Sequence, residues 1–271
     1  MYICAMISAK KSGNRIQLRP NAKINLGLII KGKRSDGYHL LETVFIPVPE
    51  LYDILTISPS EQSESSLVMK GIEIEGDLYD NLCLRAYRLL KEKFPDLPAI
   101  AIELEKGIPA GAGLGGGSSD AASTLLGLNE LFELGQSAED LAPLAAQLGA
   151  DVPFFLFNRP IFAKGIGTEF EDIELDFPYR IEVVTSDIHS STIGVYKGLD
   201  HSQLDYERSL HDILKQEVKH WPKILVNDLE KPVFALHPEL AATKANLYER
   251  GAVYAAMSGS GSAVFGLFEK V

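Results

Sequence analysis

Residues 111–117, GAGLGGG, place five glycines in seven positions and run through Ser118 and Ser119 into the helix-forming stretch DAASTLL. So few side chains suit a turn whose backbone lies against something else, and the helix that follows indicates what that is. Glycine lets successive backbone N–H groups converge on one point, and a helix N-terminus adds unsatisfied donors with about half a positive charge. The expected guest is an anion, held where a sheet strand hands over to a helix.

The loop also narrows the kind of anion site. A Walker-type phosphate loop ends in Gly-Lys-Ser/Thr, whereas Gly117 is followed by Ser118 and Ser119 with no lysine in the turn. Residues 111–116 satisfy G-x-G-x-x-G, but a run this rich in glycine meets that spacing by chance. Dinucleotide binding and a purely structural loop therefore stand as rival readings.

With 271 residues, 46% of them hydrophobic, the chain can build one large domain or two of ordinary size. A net charge of -11 argues against broad nucleic-acid binding, which needs a basic face. Any anionic ligand is then held by local groups. No apolar run approaches the roughly 18 residues of a membrane span, and the start, MYICAMISAKK, has its positive charges after its short apolar stretch, unlike a signal peptide. Cys4 and Cys83 share no metal or disulfide spacing, so a reduced, cytoplasmic setting is expected. Met6 is a second candidate start, and residues before about Arg15 read as a disordered lead.

Strands are expected over 22–31, 40–48 and 52–58, with the turn GKRSDGYH between the first two and a polar loop, SPSEQSESS, after the third. Asn81 to Lys93 carries leucines at 82, 84, 89 and 90 on a helical period, with Pro95 as the stop, and 99–105 alternates as a strand into the glycine loop. A helix over 119–131 follows, its small residues Ala121, Ala122 and Ser123 permitting close packing. Ser137 opens a second helix with a capping box, ending at Gly149. ADVPFFLF (150–157) reads as a short strand, 179–186 as a strand, 238–250 as a helix, and 252–268 as strand, glycine turn and strand. The second half thus reads as alternating helix and strand, an α+β arrangement, with a boundary near 158–167 separating domains 1–160 and 161–271.

Four separated segments point to one family: NAKINLGL (21–28), KRSDGYHLLET (33–43), PAGAGLGGGSSDAA (109–122) and LGADVPFFL (148–156), with SGSGSAVF (258–265) late in the chain. Together they resemble the GHMP kinase superfamily across about residues 20–268. The resemblance implies a ribosomal-protein-S5-like N-terminal domain and a ferredoxin-like C-terminal domain, with ATP and substrate in the cleft between them. It implies an ATP-dependent kinase that phosphorylates a hydroxyl of a cytidine diphosphate-linked polyol on the non-mevalonate isoprenoid route, acting as a monomer or weak homodimer without nucleic acid or membrane. By resemblance, Pro109, Ala110, Gly111, Ala112, Gly113, Leu114, Gly115, Gly116, Gly117, Ser118 and Ser119 hold the ATP phosphates. Asn81 and Lys106 lie near the adenosine. Lys23 and Asp151 form the reacting pair, and Asn25, Tyr38, His39, Asp151, Thr192 and Tyr196 meet the substrate.

The chemistry asks for fixed phosphates, charge neutralisation on the moving group and an oriented hydroxyl. Ser118 or Ser119 is a candidate to help place Mg²⁺, while no residue matches the glutamate that relatives use as a second metal ligand. A lysine about 4 Å from Asp151 stabilises the carboxylate by roughly 4 kcal/mol at an effective dielectric near 20. A loose transition state then needs the alcohol oriented more than deprotonated early. Each residue also has a plain structural reading. Asp151 can cap a turn, Lys23 can face solvent from an apolar strand, Asp36-Gly37 is an ordinary turn, and Tyr38 can pack into a core. SGSGS (258–262) is a hairpin turn by default, and as a functional loop would line the substrate diphosphate. Aromatic rings stack on bases, and a neutral imidazole both donates and accepts, which suits Tyr38, His39 and Tyr196 to a cytosine. The histidines at 189, 201, 211, 220 and 237 show no ligand spacing and read as surface groups. The alternatives are a GHMP kinase with another acceptor, such as homoserine or mevalonate, and a nucleotide-binding regulator without catalysis. DGYH (36–39) speaks against the first, and Lys23 with Asp151 against the second.

Overall fold

A computed structural model of the protein describes residues 9–74, 77–188 and 190–270. In chain order its elements are β1 (Lys10–Ser12), β2 (Arg15–Leu18), β3 (Asn21–Lys33), β4 (His39–Tyr52), β5 (Ile54–Pro59), β6 (Ser66–Gly71), α1 (Leu82–Lys93), β7 (Ile100–Lys106), α2 (Gly116–Leu131), α3 (Ala138–Leu148) and α4 (Val152–Phe157), followed by β8 (Ile161–Lys164), β9 (Glu169–Asp172), β10 (Tyr179–Val184), α5 (Thr192–Lys197), α6 (Leu210–Leu214), α7 (Trp221–Ile224), α8 (Glu230–Leu236), α9 (Pro238–Glu249), β11 (Tyr254–Met257) and β12 (Val264–Glu269). They fall into two compact units, each drawn from several stretches of chain. Among the described residues, the first spans 9–22, 47–110 and 115–159, and the second 23–46, 111–114 and 160–270.

In the first unit a five-stranded sheet runs β1-β2-β5-β7-β6, antiparallel except for the parallel pair β6 and β7. Period-2 alternation makes β7 a half-buried strand: Ile100, Ile102 and Leu104 point inward, Glu103 and Glu105 outward. Helix α1 buries Cys83, Ala86, Tyr87 and Leu90, a stripe at helical spacing that uses only one of the four leucines expected to form it. Helix α2 is buried on nearly every side, and its small residues are the reason it fits. A Cβ on Gly127 would come within 2.9 Å of Leu18 Cδ1 and 3.0 Å of Ile57 Cδ1. Ser137 caps α3 with the reciprocal capping box read from the sequence.

In the second unit, β10, β12 and β11 form an antiparallel sheet whose β11–β12 hairpin pairs Met257 with Val264. A further sheet has the order β3-β4-β8-β9, with Thr43 opposite Ala163. The core of this unit gathers Leu28 and Ile30 of β3, Val195 of α5, Leu229 and Val233, Leu240 and Leu247 of α9, and Met257, Val264 and Phe268 of the hairpin.

Three expectations are corrected. ADVPFFLF forms α4 and not a strand; Pro153 sits in its first turn, where its missing N–H costs nothing, and a wholly buried apolar run carries no period to tell strand from helix. Residues 10–12, expected within a disordered lead, form β1 against β2, while residues 1–8 lie outside the described residues. The second half does not alternate: after β10 come five helices in succession, four of them only four to seven residues long and too short to show a 3.6-residue period.

Candidate active site

The glycine loop ends where α2 begins, and its backbone is what the sequence requires. Gly111, Gly113 and Gly115 have φ of +67°, +74° and +72°, left-handed values that side chains disfavour. Gly115 is the N-cap of α2 and supplies no side-chain bond, so the first N–H groups of a sixteen-residue helix are left for another partner. Ser119 is fully buried and its Oγ has no partner among the described residues, whereas Ser118 is half-buried at the third position of the helix.

Beside this helix start the first unit has a cavity of about 450 Å³, lined by Asn81, Leu82, Lys106, Ala110, Gly117 and Asp120 among others. That volume lies in the range of small-molecule sites. Asn81 is partly spent on structure, because its Oδ1 caps α1 by accepting from Cys83 N at 2.9 Å. Lys106 is committed more fully: its ammonium, 2% exposed, is paired with Asp53 and lies 2.6 Å from Asp120 Oδ2. Burial works against that ammonium, but Asp120 and Asp53 outweigh it and raise its pKa. Asp53 also accepts from Gly107 N at 2.6 Å and Ile108 N at 2.8 Å, which anchors the chain entering the loop. Asp53 and Asp120 escaped notice in the sequence, where single acids give no periodic or motif signal.

Residues 111–114 belong to the second unit, where they meet the other glycine turn. Ser258 Oγ donates to Gly113 O at 2.8 Å, Asn25 N donates to Ser258 Oγ at 3.2 Å, and Ala263 N donates to Ala112 O at 3.1 Å. Asn227 Nδ2 fastens the same turn through Met257 O and Gly259 O. SGSGS is thus both the hairpin connection and a neighbour of Ala112 and Gly113.

Lys23 and Asn25 are one pleat apart on β3, so both point to the same side, and both are at least 95% buried. Lys23 Nζ donates to Asn25 Oδ1 at 2.6 Å, Asn25 Nδ2 donates to Thr43 Oγ1 at 3.0 Å, and Thr43 Oγ1 donates to Gly27 O at 2.6 Å. The solvent-facing reading of Lys23 is therefore excluded by its burial. Asp151, in the first unit, precedes α4 and its carboxylate does not cap that helix.

Tyr38, His39, Thr192 and Tyr196 line one cavity of about 580 Å³ in the second unit, together with Lys33 and Ile193. The DGYH segment is indeed a turn: Tyr38 N donates to Asp36 Oδ1 at 3.2 Å and Gly37 has φ +92°. Yet that turn presents Tyr38 outward, 62% exposed, and not into a core. His39 is nearly buried, with the Tyr196 ring stacked 5.0 Å away. Burial first, then the neighbouring His201 and Lys33, lower its pKa and keep it neutral near pH 7. His201, expected at the surface, is half-buried with Nε2 3.3 Å from His39 Nε2; His189 lies outside the described residues.

Residues 81–159 match the GHMP kinases N terminal domain and residues 209–270 the GHMP kinases C terminal domain. The chain is 49% identical to 4-diphosphocytidyl-2-C-methyl-D-erythritol kinase of Azobacteroides pseudotrichonymphae, over 93% of this chain and 92% of that one. It is 50% identical to the enzyme of that name from Bacteroides thetaiotaomicron, over 92% of this chain and 91% of that one. A crystal structure of 4-(cytidine 5'-diphospho)-2C-methyl-D-erythritol kinase superposes with a TM-score of 0.79 at 38% identity, covering 93% of this chain and 90% of the other. The chain belongs to the 4-diphosphocytidyl-2-C-methyl-D-erythritol kinase family within the GHMP kinases. Its architecture is the α+β GHMP kinase fold, and its chemistry that of an ATP-dependent phosphotransferase with an alcohol acceptor.

Proposed function

We propose that this protein transfers the γ-phosphoryl group of ATP to the 2-hydroxyl of 4-diphosphocytidyl-2-C-methyl-D-erythritol, giving the 2-phosphate and ADP on a route to isoprenoid precursors that bypasses mevalonate. The observation that carries this choice of substrate, in a chain of this family, is the cavity where exposed Tyr38, neutral His39, Thr192 and Tyr196 meet. It offers aromatic faces for a flat base and a hydrogen-bonding imidazole for its edge, without a charge that a neutral cytosine would have to match.

In this reading the uncapped start of α2 and the backbone from Pro109 to Ser119 hold the ATP phosphates, and the cavity beside Asn81 and Lys106 takes the adenosine. Lys106, whose ammonium is already committed to Asp53 and Asp120, contributes by holding the Asp53 side chain that anchors the loop entrance. Asp151 orients the 2-hydroxyl and accepts its proton as the bond to phosphorus forms. Lys23, held by Asn25, neutralises charge growing on the transferred group.

A Mg²⁺ ion accompanying the ATP phosphates would find the Ser118 hydroxyl, half-buried at the start of α2, as its candidate protein ligand. Among the described residues no cluster of His, Cys, Asp or Glu could hold a metal, the Ser119 hydroxyl is sealed in, and Ser118 is the hydroxyl within reach of solvent. When bound, the ion would supply charge neutralisation on the phosphates. Among the described residues no helix is long and apolar enough to cross a membrane. A cytoplasmic enzyme, monomeric or weakly dimeric, completes the proposal.

A coupled ADP-release assay tests it. Turnover should require the cytidine diphosphate substrate, and Asp151→Asn and Lys23→Ala should each lose at least about 100-fold in kcat, as loss of a positioned acid–base or charge-stabilising group does. Equal rates on a base-free analogue, or near-full turnover by either variant, would overturn it.

A further inference from the structure

Tyr206 and His201 lie far along the chain from the turn that carries His39, yet the three side chains form one hydrogen-bonded line. His39 Nε2 and His201 Nε2 are 3.3 Å apart with the rings nearly parallel at 12°, and His201 Nδ1 is 2.8 Å from Tyr206 Oη. No described residue hydrogen-bonds the other ring nitrogen of His39, Nδ1, and His39 itself lines the cavity with Tyr38 and Thr192.

A neutral imidazole has one N–H donor and one bare acceptor nitrogen. A contact between two Nε2 atoms therefore forces opposite roles on the two rings, and each choice propagates to both ends of the line. If Tyr206 donates to His201 Nδ1, then His201 donates from Nε2, His39 Nε2 accepts, and the His39 proton sits on Nδ1. If His201 Nδ1 donates to the phenol instead, every bond reverses and His39 Nδ1 becomes an acceptor. A phenol is a good donor, and its oxygen is a poor acceptor because its lone pair is shared with the ring. The first arrangement is the favoured one.

We propose that Tyr206 and His201 are positioning residues that hold His39 as its Nδ1–H tautomer, so that the cavity offers a donor to the N3 acceptor of cytosine and opposes the N3–H donor of uracil. The inference rests on the reading of this cavity as the base site. Two residues that never touch the substrate then set which pyrimidine it carries.

The test combines a tautomer measurement with base discrimination. In the full-length protein, ¹⁵N NMR of the histidines, with His39 assigned by its disappearance in His39→Gln, should show Nδ1 protonated and Nε2 bare. Adding CDP should shift the His39 signals, and UDP should shift them much less. Tyr206→Phe, which removes only the hydroxyl, should mix the tautomers. It should reduce the preference for the cytidine over the uridine diphosphate substrate by about tenfold or more, expressed in KM with kcat on the cytidine substrate little changed. His201→Ala should do the same. An Nε2–H tautomer in the unaltered protein, or undiminished discrimination in Tyr206→Phe, would refute the relay. If CDP leaves His39 unshifted while the tautomer is as stated, it is the base-site reading that falls, and the role in base choice falls with it.

Discussion

Lys23 and Asn25 share one face of β3, and the lysine ammonium donates to the asparagine carbonyl at 2.6 Å inside the protein. The amide is itself fixed, since Asn25 Nδ2 donates to Thr43 Oγ1, whose own proton goes to Gly27 O. Asn25 is therefore a bracket for the Lys23 charge, and the ring of Phe45, 5.0 Å from Nζ, gives it an electron-rich face. Asn25→Ala removes a hydrogen bond to a charged group, worth about 1.5–3 kcal/mol, so kcat should fall by about 10- to 100-fold. Steady-state kinetics would show it, and an unchanged kcat would mean that Lys23 is held well enough without this bracket.

The buried trio of Lys106, Asp53 and Asp120 has one cation for two carboxylates, so its charges balance only if one acid keeps its proton. Asp53 is wrapped by donors from Gly107, Ile108 and Lys106, whereas Asp120 Oδ1 has no partner among the described residues. Burial, opposed by Lys106 and aided by Asp53, pushes the Asp120 pKa up to about 8. The folded state then holds a proton that the unfolded chain releases near pH 4, so this group makes stability fall as pH rises from about 4 to about 8. Asp120→Asn should leave stability near pH 4 almost unchanged and remove that slope, so that it is the more stable protein at pH 7, while Asp53→Asn, which takes away the carboxylate that pairs with Lys106 and accepts from Gly107 N and Ile108 N, should cost about 3–5 kcal/mol. Urea titrations at pH 5, 7 and 8.5 read both effects. Equal costs for the two variants would place the proton elsewhere.

These two clusters also mark where the sequence is transparent and where it is opaque. Local chemistry is legible: the Ser137 box, the alternation of β7 and the glycine turns all follow from neighbours in the chain. The His39–His201 contact spans 162 positions and the Lys106–Asp53 pair 53, and no periodicity links such residues before the fold brings them together. The same limit explains α4, whose uniformly buried residues carry no face to read, and the short helices α5 to α8, which contain fewer than two turns each. The family resemblance named Lys23 and Tyr38, but it was the backbone that showed one sealed in and the other exposed.

Gly113 and Gly135 offer a matched comparison. Both are left-handed, at φ +74° and +67°, so alanine strains either by about 1–2 kcal/mol. They differ in room: a Cβ at Gly113 would lie 2.0 Å from Ser258 O, while at Gly135 it would meet nothing within 4 Å. Gly135→Ala should lower the melting temperature modestly and leave the KM for ATP unchanged. Gly113→Ala has to push the two glycine turns apart, so it should lose more stability and raise the KM for ATP. Similar behaviour of the two variants would show that the contact at Ser258 yields easily.

Glu182 on β10 lies between Arg250, whose Nη1 is 2.5 Å from Oε1, and Arg180, whose Nη1 is 3.4 Å from Oε2. The hydrogen bond from Arg250 outweighs partial burial, and with the charges of both arginines it lowers the Glu182 pKa. For an acid shifted downward, the stabilisation is complete above the unfolded value, about 4.3, and is lost as pH falls through the lower folded value. With Arg250 nearly half exposed, the pair belongs among surface ion pairs, so Arg250→Gln should cost about 0.2–1 kcal/mol at pH 7. That difference should shrink toward zero below pH 4. Arg250 also lies 5.9 Å from the centre of the Phe268 ring, which gives it a second, pH-independent contact. Urea midpoints at pH 7 and pH 3 separate the two: a cost that disappears in acid assigns the stabilisation to Glu182, and one that persists undiminished assigns it to packing over Phe268.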